Sequence, residues 1–179
     1  MWKVLIADDE PKIRQGLKSV LEEMKLPITV CAEARNGMEA LEKIEQFQPD
    51  FILMDICMPK LSGIQFLEEL RKLDKNCPVI VISGFNEFSY AKQAIKLGVS
   101  EYLLKPIAEE ELQAAVVKVT EEIKQKRKSE KFMELVKQQM IQNQDYLRDV
   151  FSMNGWEENY LDSNGKNRQD FLIWIFRII

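Results

Sequence analysis

The sequence contains no histidine. Chemistry at neutral pH that relies on an imidazole base, a Ser-His-Asp triad or a histidine metal ligand is therefore excluded, as is a kinase that phosphorylates its own histidine. Cysteine is scarce. Cys31, Cys57 and Cys77 are an odd number with no C-x-x-C pair, which argues against a disulfide framework or a zinc site and fits reduced thiols in a cytoplasmic protein. No apolar run reaches the roughly 20 residues of a membrane span. The opening "MWKVLIADDE" has no long apolar stretch after its lysine, so no signal peptide is expected. Nor is there an excess of positive charge: at a net −4 the chain has no general attraction to nucleic acid or anionic membrane, and any DNA contact would have to be local. The remaining chemistry must run on carboxylates, lysine, hydroxyls and a borrowed metal.

At 179 residues, with 46% hydrophobic and 30% charged residues, the chain can hold one well-cored domain and an appendage. Apolar, β-branched runs alternate with helical patterns along the first two thirds. "WKVLIA" (2–7), "ITVCAE" (28–33), "DFILM" (50–54), "PVIVIS" (78–83) and "EYLLK" (101–105) read as strands. Segments 11–25, 37–47, 63–74 and 86–97 carry apolar residues at helical spacing, with Pro11 in the opening turn of the first and Gly98 as a stop for the fourth. Repeated β-α units with right-handed crossovers imply a parallel sheet covered on both faces, and continuous apolar strands such as "VIVI" agree. Ligands of such sheets collect at the carboxyl ends of the strands.

Asp8 and Asp9 follow the first strand, Asp55 the third, Ser83 ends the fourth and Lys105 the fifth. Singly, each has a bland explanation: loops favour Asp, Ser caps helices and Lys is usually solvated. Together they place three carboxylates, a hydroxyl and an ammonium along one edge. Crowded carboxylates suit a hard cation, and Mg²⁺ binds through one or two carboxylates, keeps several waters and bridges to phosphate oxygens. One carboxylate could then act as nucleophile and form an aspartyl-phosphate. Lys105 would neutralise a phosphoryl oxygen and the Ser83 hydroxyl would donate to another.

"LIADDE" (5–10), "DICMP" (55–59) followed by Gly63, "ISG" (82–84) and "YLLKPI" (102–107) closely resemble the motifs of the response-regulator receiver domain of two-component signalling. The resemblance covers roughly residues 1–120. The string "SGFNEFSYAKQAIKLGVSEYLLKPI" (83–107) is similar to the receivers of YesN-like, AraC-type transcription regulators, which carry a C-terminal pair of helix-turn-helix motifs. The resemblance implies a flavodoxin-like, doubly wound five-stranded sheet in the order 2-1-3-4-5, with an extended C-terminal helix. It makes Asp55 the phosphoacceptor, with Asp9, Asp55 and the backbone carbonyl of Cys57 as Mg²⁺ ligands and Asp8 contacting the metal or its water. Ser83 and Tyr102 match the switch positions, Lys105 the phosphate-contacting lysine, and the Lys105-Pro106 bond is expected to be cis. Gly84 is expected to matter by being small beside Ser83. Glu10 has no direct role there and favours the N-terminus of the helix opening at Pro11. Met58 and Pro59 are expected only to shape the loop after Asp55.

The implied function is that of a response regulator, phosphorylated by a sensor histidine kinase, that catalyses its own phosphotransfer and slow dephosphorylation rather than conventional turnover. Output, as homodimerisation and transcription control, would pass through the fourth helix, fifth strand and fifth helix; DNA would be contacted only through a C-terminal domain not evident in this chain. Two rivals are a phosphorylation-independent interaction module on the same fold and a haloacid-dehalogenase-like hydrolase, whose D-x-D motif is replaced here by adjacent carboxylates.

Beyond the expected receiver domain (1–122), helical pattern runs without Gly or Pro to about Phe151. Leu112, Val116, Val119 and Ile123 form one seam, and Met133, Val136, Met140 and Leu147 a weaker one. A coiled coil and a single projecting helix both remain open for 123–151. The basic cluster Lys124, Lys126, Arg127 and Lys128 reads as a solvated face. Residues 152–179 are loop-rich before the apolar "FLIWIFRII", and read either as a tail that packs on something or as the start of a truncated further region.

Overall fold

The computed structural model describes residues 1–73, 76–84 and 88–153; of residues 88, 144, 145 and 147–153 it describes the backbone alone. Five strands, β1 (Trp2–Ala7), β2 (Ile28–Ala34), β3 (Phe51–Asp55), β4 (Val79–Ser83) and β5 (Glu101–Leu104), alternate with α1 (Pro11–Glu23), α2 (Gly37–Phe47), α3 (Gly63–Lys72), α4 (Phe88–Lys96) and α5 (Glu109–Met153). All strand pairs are parallel and the sheet order is β2-β1-β3-β4-β5, as the resemblance implies. Asp55 is the last residue of β3 rather than the first of the loop.

Successive strand residues point to opposite faces, and both faces are buried. Leu5, Ala7, Ile52, Met54, Val79 and Val81 pack with α2 residues Ala40 and Ile44, with α3 residues Phe66, Leu67 and Leu70, and with Ala94 of α4. Val4, Ile6, Phe51, Leu53, Ile80 and Ile82 pack with Leu17 and Leu21 of α1 and with Leu112, Val116, Val119 and Ile123 of α5. The first α5 seam is thus core. Met58 is also core, 7% exposed, which a loop-shaping role alone does not require. One register shift falls between Val4 and Leu5: Val4 pairs with Val30 and Leu5 with Ala32, so Cys31 bulges and its thiol donates to the Val4 carbonyl at 3.3 Å. Burial pushes the Cys77 thiol, packed against this core, up to about 12, which disfavours its thiolate.

Local chemistry starts and stops the helices where the strand ends need them. Asn36 caps α2 by accepting from the Glu39 N–H at 3.0 Å, and Ser62 with Gln65 forms a capping box on α3. Glu10 occupies the N-cap of α1 but its side chain makes no capping hydrogen bond. Gly98 follows α4 with φ +70°, the left-handed stop expected there.

The chain divides into two units, 1–126 and 127–179. In the second, the described part is helix, and Phe132, Met133, Leu135, Met140 and Ile141 are exposed, so two members of the weaker seam face solvent. The basic residues Lys124, Lys126, Arg127 and Lys128 are exposed as well. The side chain of Leu147 and the closing apolar run lie outside the described residues. Among the described residues no helix is long and apolar enough to cross a membrane.

Two glycines separate tolerance from necessity. A Cβ on Gly63 would stand 2.5 Å from the Asp55 carbonyl oxygen and 2.8 Å from Ile56 Cα, both backbone, so α3 can start against β3 only without a side chain there. A Cβ on Gly16, inside α1, would meet nothing within 4 Å. Gly63→Ala should therefore lower unfolding stability by about 1–3 kcal/mol, and Gly16→Ala should raise it by about 0.5–1 kcal/mol, both read from urea unfolding midpoints.

Candidate functional site

The carboxyl ends of the strands bring Asp8, Asp55 and Lys105 together, because the sheet order makes β1 and β3 neighbours and sets β4 and β5 beside them. Asp8 and Asp55 are almost completely buried, at 1% and 5% exposure. Lys105 answers both: its Nζ lies 2.9 Å from Asp8 Oδ2 and 2.9 Å from Asp55 Oδ1. Each carboxylate has a second anchor. The Glu10 N–H donates to Asp8 Oδ1 at 2.9 Å, and the Cys57 N–H donates to Asp55 Oδ2 at 2.7 Å. The Lys105 N–H in turn donates to the Ser83 carbonyl at 2.8 Å, which fixes the lysine backbone to the end of β4.

Burial sets the electrostatics. Desolvation raises the Asp55 carboxyl above its ordinary value of 3.8, with Asp8 adding to the effect; the Lys105 ammonium and the Cys57 N–H oppose it without cancelling it. For Lys105, burial works against the charge, yet the hydrogen bonds and charges of Asp8 and Asp55 together outweigh it and raise the ammonium above 10.5. The ammonium gains from the pair while Asp55, the more deeply buried partner, carries the dehydration.

Ser83 is fully buried at the end of β4. Tyr102, on β5, packs against the core cluster on the α2–α4 face instead of lying on the surface, and its hydroxyl is buried with no hydrogen-bond partner among the described residues. Gly84 is exposed, and a Cβ there would sit 3.8 Å from Lys105 Cδ, an ordinary contact. The lysine stem thus bounds the space at Gly84 on one side. The Lys105-Pro106 bond is cis.

Asp9 stands apart, exposed, its carboxylate unbonded; the one hydrogen bond that Asp9 makes among the described residues is through its carbonyl, to Arg14. Reasoning from sequence missed that arginine. Its Nη1 donates to the Asp8 carbonyl at 2.8 Å and its Nε to Glu33 Oε2 at 3.1 Å. Its place one turn past the acidic loop, on the helix that the loop opens, was the available signal.

The donor set can be judged against a divalent cation. Among the described residues no group of three or more His, Cys, Asp or Glu side chains is gathered as a metal site. Mg²⁺ asks for less, one or two carboxylates with water and carbonyl oxygens completing the shell. Two buried carboxylates already converge on one positive charge, and Asp9, the residue after Asp8, adds an exposed carboxylate to the same loop. All the ligating atoms are oxygens, so the residues present fit a hard cation.

A flavodoxin-like parallel sheet with an acid–lysine cluster at its carboxyl edge is the class to which fold and site point. Residues 4–117 match the response regulator receiver domain family, and the chain belongs to it. It is 38% identical over 124 residues to the transcriptional regulatory protein YesN of Bacillus subtilis (strain 168), a match covering 69% of this chain and 34% of YesN. Among solved structures it is similar to the receiver domain of AraT, a response regulator from Geobacillus stearothermophilus, with 42% identity, a TM-score of 0.65, and coverage of 70% of this chain and 98% of that one. It is also similar to a chain of the CheX-CheY-BeF₃-Mg²⁺ complex from Borrelia burgdorferi, with 27% identity, a TM-score of 0.62, and coverage of 66% and 89%. The chain spans between 34% and 44% of the length of the first curated relatives it matches.

The raised Asp55 carboxyl carries a stability consequence. A carboxyl whose folded value lies above its unfolded value stabilises the fold below the unfolded value and loses that contribution as pH rises through the folded value. At neutral pH, ionised Asp55 is therefore a cost to the fold. Asp55→Asn should melt no lower than the wild type at pH 7, and any advantage should shrink as pH falls towards 3.8 and the wild-type carboxyl protonates. Thermal melts of both proteins across that range check it, and a variant less stable at pH 7 contradicts it.

Proposed function

We propose that this chain is the receiver of a two-component response regulator, accepting a phosphoryl group on Asp55 from the phosphohistidine of a sensor kinase. The observation that carries the reading is the convergence of Asp8 and Asp55 on a single lysine nitrogen at the carboxyl edge of the sheet. Asp55 is oriented by the Cys57 N–H on one oxygen and Lys105 on the other. A carboxylate oxygen forms a bond to phosphorus, the P–N bond breaks, and its electron pair stays on the donor imidazole. The donor need supply little beyond its histidine, because nucleophile and charge stabilisation lie in this chain. Water later cleaves the acyl phosphate slowly and returns the carboxylate.

Mg²⁺ would be held by Asp9, Asp55 and the Cys57 carbonyl, with Asp8 contacting it or its water, and when bound it supplies the positive charge that lets an anionic phosphoryl group approach carboxylates. Lys105 neutralises a phosphoryl oxygen through its ammonium, which has three donors and meets two carboxylates here. Ser83 donates its hydroxyl to the phosphoryl group. Tyr102 completes the switch: a buried hydroxyl without a partner among the described residues is costly, which favours exchange of its present position for another. The outcome biases a two-state equilibrium at α4, β5 and the start of α5, with homodimerisation as the response. Transcription control in the cytoplasm is the proposed output, supported by the similarity to the transcriptional regulatory protein YesN.

Incubation with acetyl phosphate and Mg²⁺, followed by intact mass, tests this. Wild type and Glu10→Gln should each gain the mass of one phosphoryl group. Asp55→Asn, Asp9→Asn and wild type in excess chelator should not. A folded wild type that gains nothing would favour the phosphorylation-independent interaction module.

A further inference from the structure

The acidic loop between β1 and α1 must hold Asp8 and Asp9 in fixed relation to Asp55, although neighbouring carboxylates repel. Three ties hold it. The Asp8 N–H donates to the Ala34 carbonyl of β2 at 3.0 Å, the Glu10 N–H closes back on Asp8 Oδ1, and Arg14 grips the loop from its carbonyl side. Among these ties the arginine is the one that reaches Asp9, at 3.4 Å from the carbonyl, alongside its 2.8 Å bond to the Asp8 carbonyl. Its other end is anchored by Glu33, the penultimate residue of β2, in an ion pair of 3.1 Å. The Arg14 side chain is 16% exposed, so the fork is sheltered from water at the loop. Glu33 is itself secured, since its carbonyl accepts from Lys43 Nζ, and that lysine also binds Glu39 at 2.6 Å on α2.

We infer that Arg14 is a positioning residue for the cation site: its guanidinium, braced on Glu33, holds the carbonyls of Asp8 and Asp9 so that their carboxylates are presented together. The inference rests on the receiver reading of the site. It also sets two effects of Arg14 against each other. As a positive charge near the acids, Arg14 repels a divalent cation, so its removal by charge alone would tighten Mg²⁺ binding. As a clamp, it pre-forms the ligand arrangement, so its removal weakens binding; loss of such outer partners typically costs about 10–100-fold in metal affinity. The sign of the change separates the two roles. A lysine at this position keeps the charge and loses the planar fork that serves Glu33 and the carbonyls together.

Isothermal titration of the full chain with Mg²⁺, without any phosphoryl donor, reads this directly. Arg14→Gln and Arg14→Lys should each bind Mg²⁺ about 10-fold or more weakly than wild type. Glu33→Gln, which retains an acceptor for Nε, should show a smaller loss, and the losses should persist at raised salt, where a charge effect fades. Should Arg14→Gln fail to fold, as judged by its melt in chelator, Arg14→Lys and Glu33→Gln carry the same test. Binding unchanged or tighter in the folded arginine variants overturns the positioning role and leaves the receiver reading intact, provided that the wild type binds Mg²⁺ and takes up a phosphoryl group. Failure of the wild type to bind Mg²⁺ overturns both.

Discussion

One ammonium group makes the carboxyl edge of this sheet possible. Asp8 and Asp55 end neighbouring strands and are almost fully buried, an arrangement that costs dearly for two like charges unless a cation lies between them. Lys105 provides it, 2.9 Å from each. The lysine can do so because its own N–H is fixed to the Ser83 carbonyl and because β5 is the edge strand on that side, with β4 between it and β3. The same interaction is the source of the site's chemistry. A lysine divided between two carboxylates has charge to offer an incoming anion, and Asp55, raised by burial, remains balanced by that lysine and the Cys57 N–H.

Much of the remaining structure serves to bring backbones close enough for this contact. Gly63 lets α3 begin against the end of β3, and Gly37, whose Cβ would meet the Leu61 carbonyl oxygen at 2.7 Å, lets α2 approach the same loop. Met58 pins that loop to the core from within. Caps at Asn36 and Ser62 settle the helix starts, and Arg14 closes the acidic loop against β2. The loops of the site are thus tied to the sheet, which suits groups that must meet within a hydrogen-bond length.

The sheet was legible because burial on both faces leaves a plain mark, uninterrupted apolar strands such as "VIVI", and because each strand ended on a group with an evident charge. The order of the strands and the roles at the edge came from the joined motifs around Asp8, Asp55, Ser83 and Lys105; periodicity alone carries no strand order. Other features depended on tertiary approach, which sequence does not display. Gly63 was visible as part of a motif, but the contact that requires it is with the Asp55 carbonyl. Arg14 reads as a surface residue of an amphipathic helix until the fold turns it beneath the loop. Glu10 occupies the N-cap without capping through its side chain, and its N–H anchors Asp8. The weaker α5 seam shows the limit of pattern reading: Met133 and Met140 have heptad-like spacing, and both are exposed.

The shared lysine is most directly tested by a ¹³C titration of the Asp55 side-chain carboxyl in wild type and in Lys105→Met. The wild-type midpoint should lie above the ordinary 3.8, and loss of the ammonium should move it further upward, because the group that opposes desolvation is gone. A midpoint unmoved by the substitution would show that Asp55 and Lys105 do not share the buried contact on which the account depends.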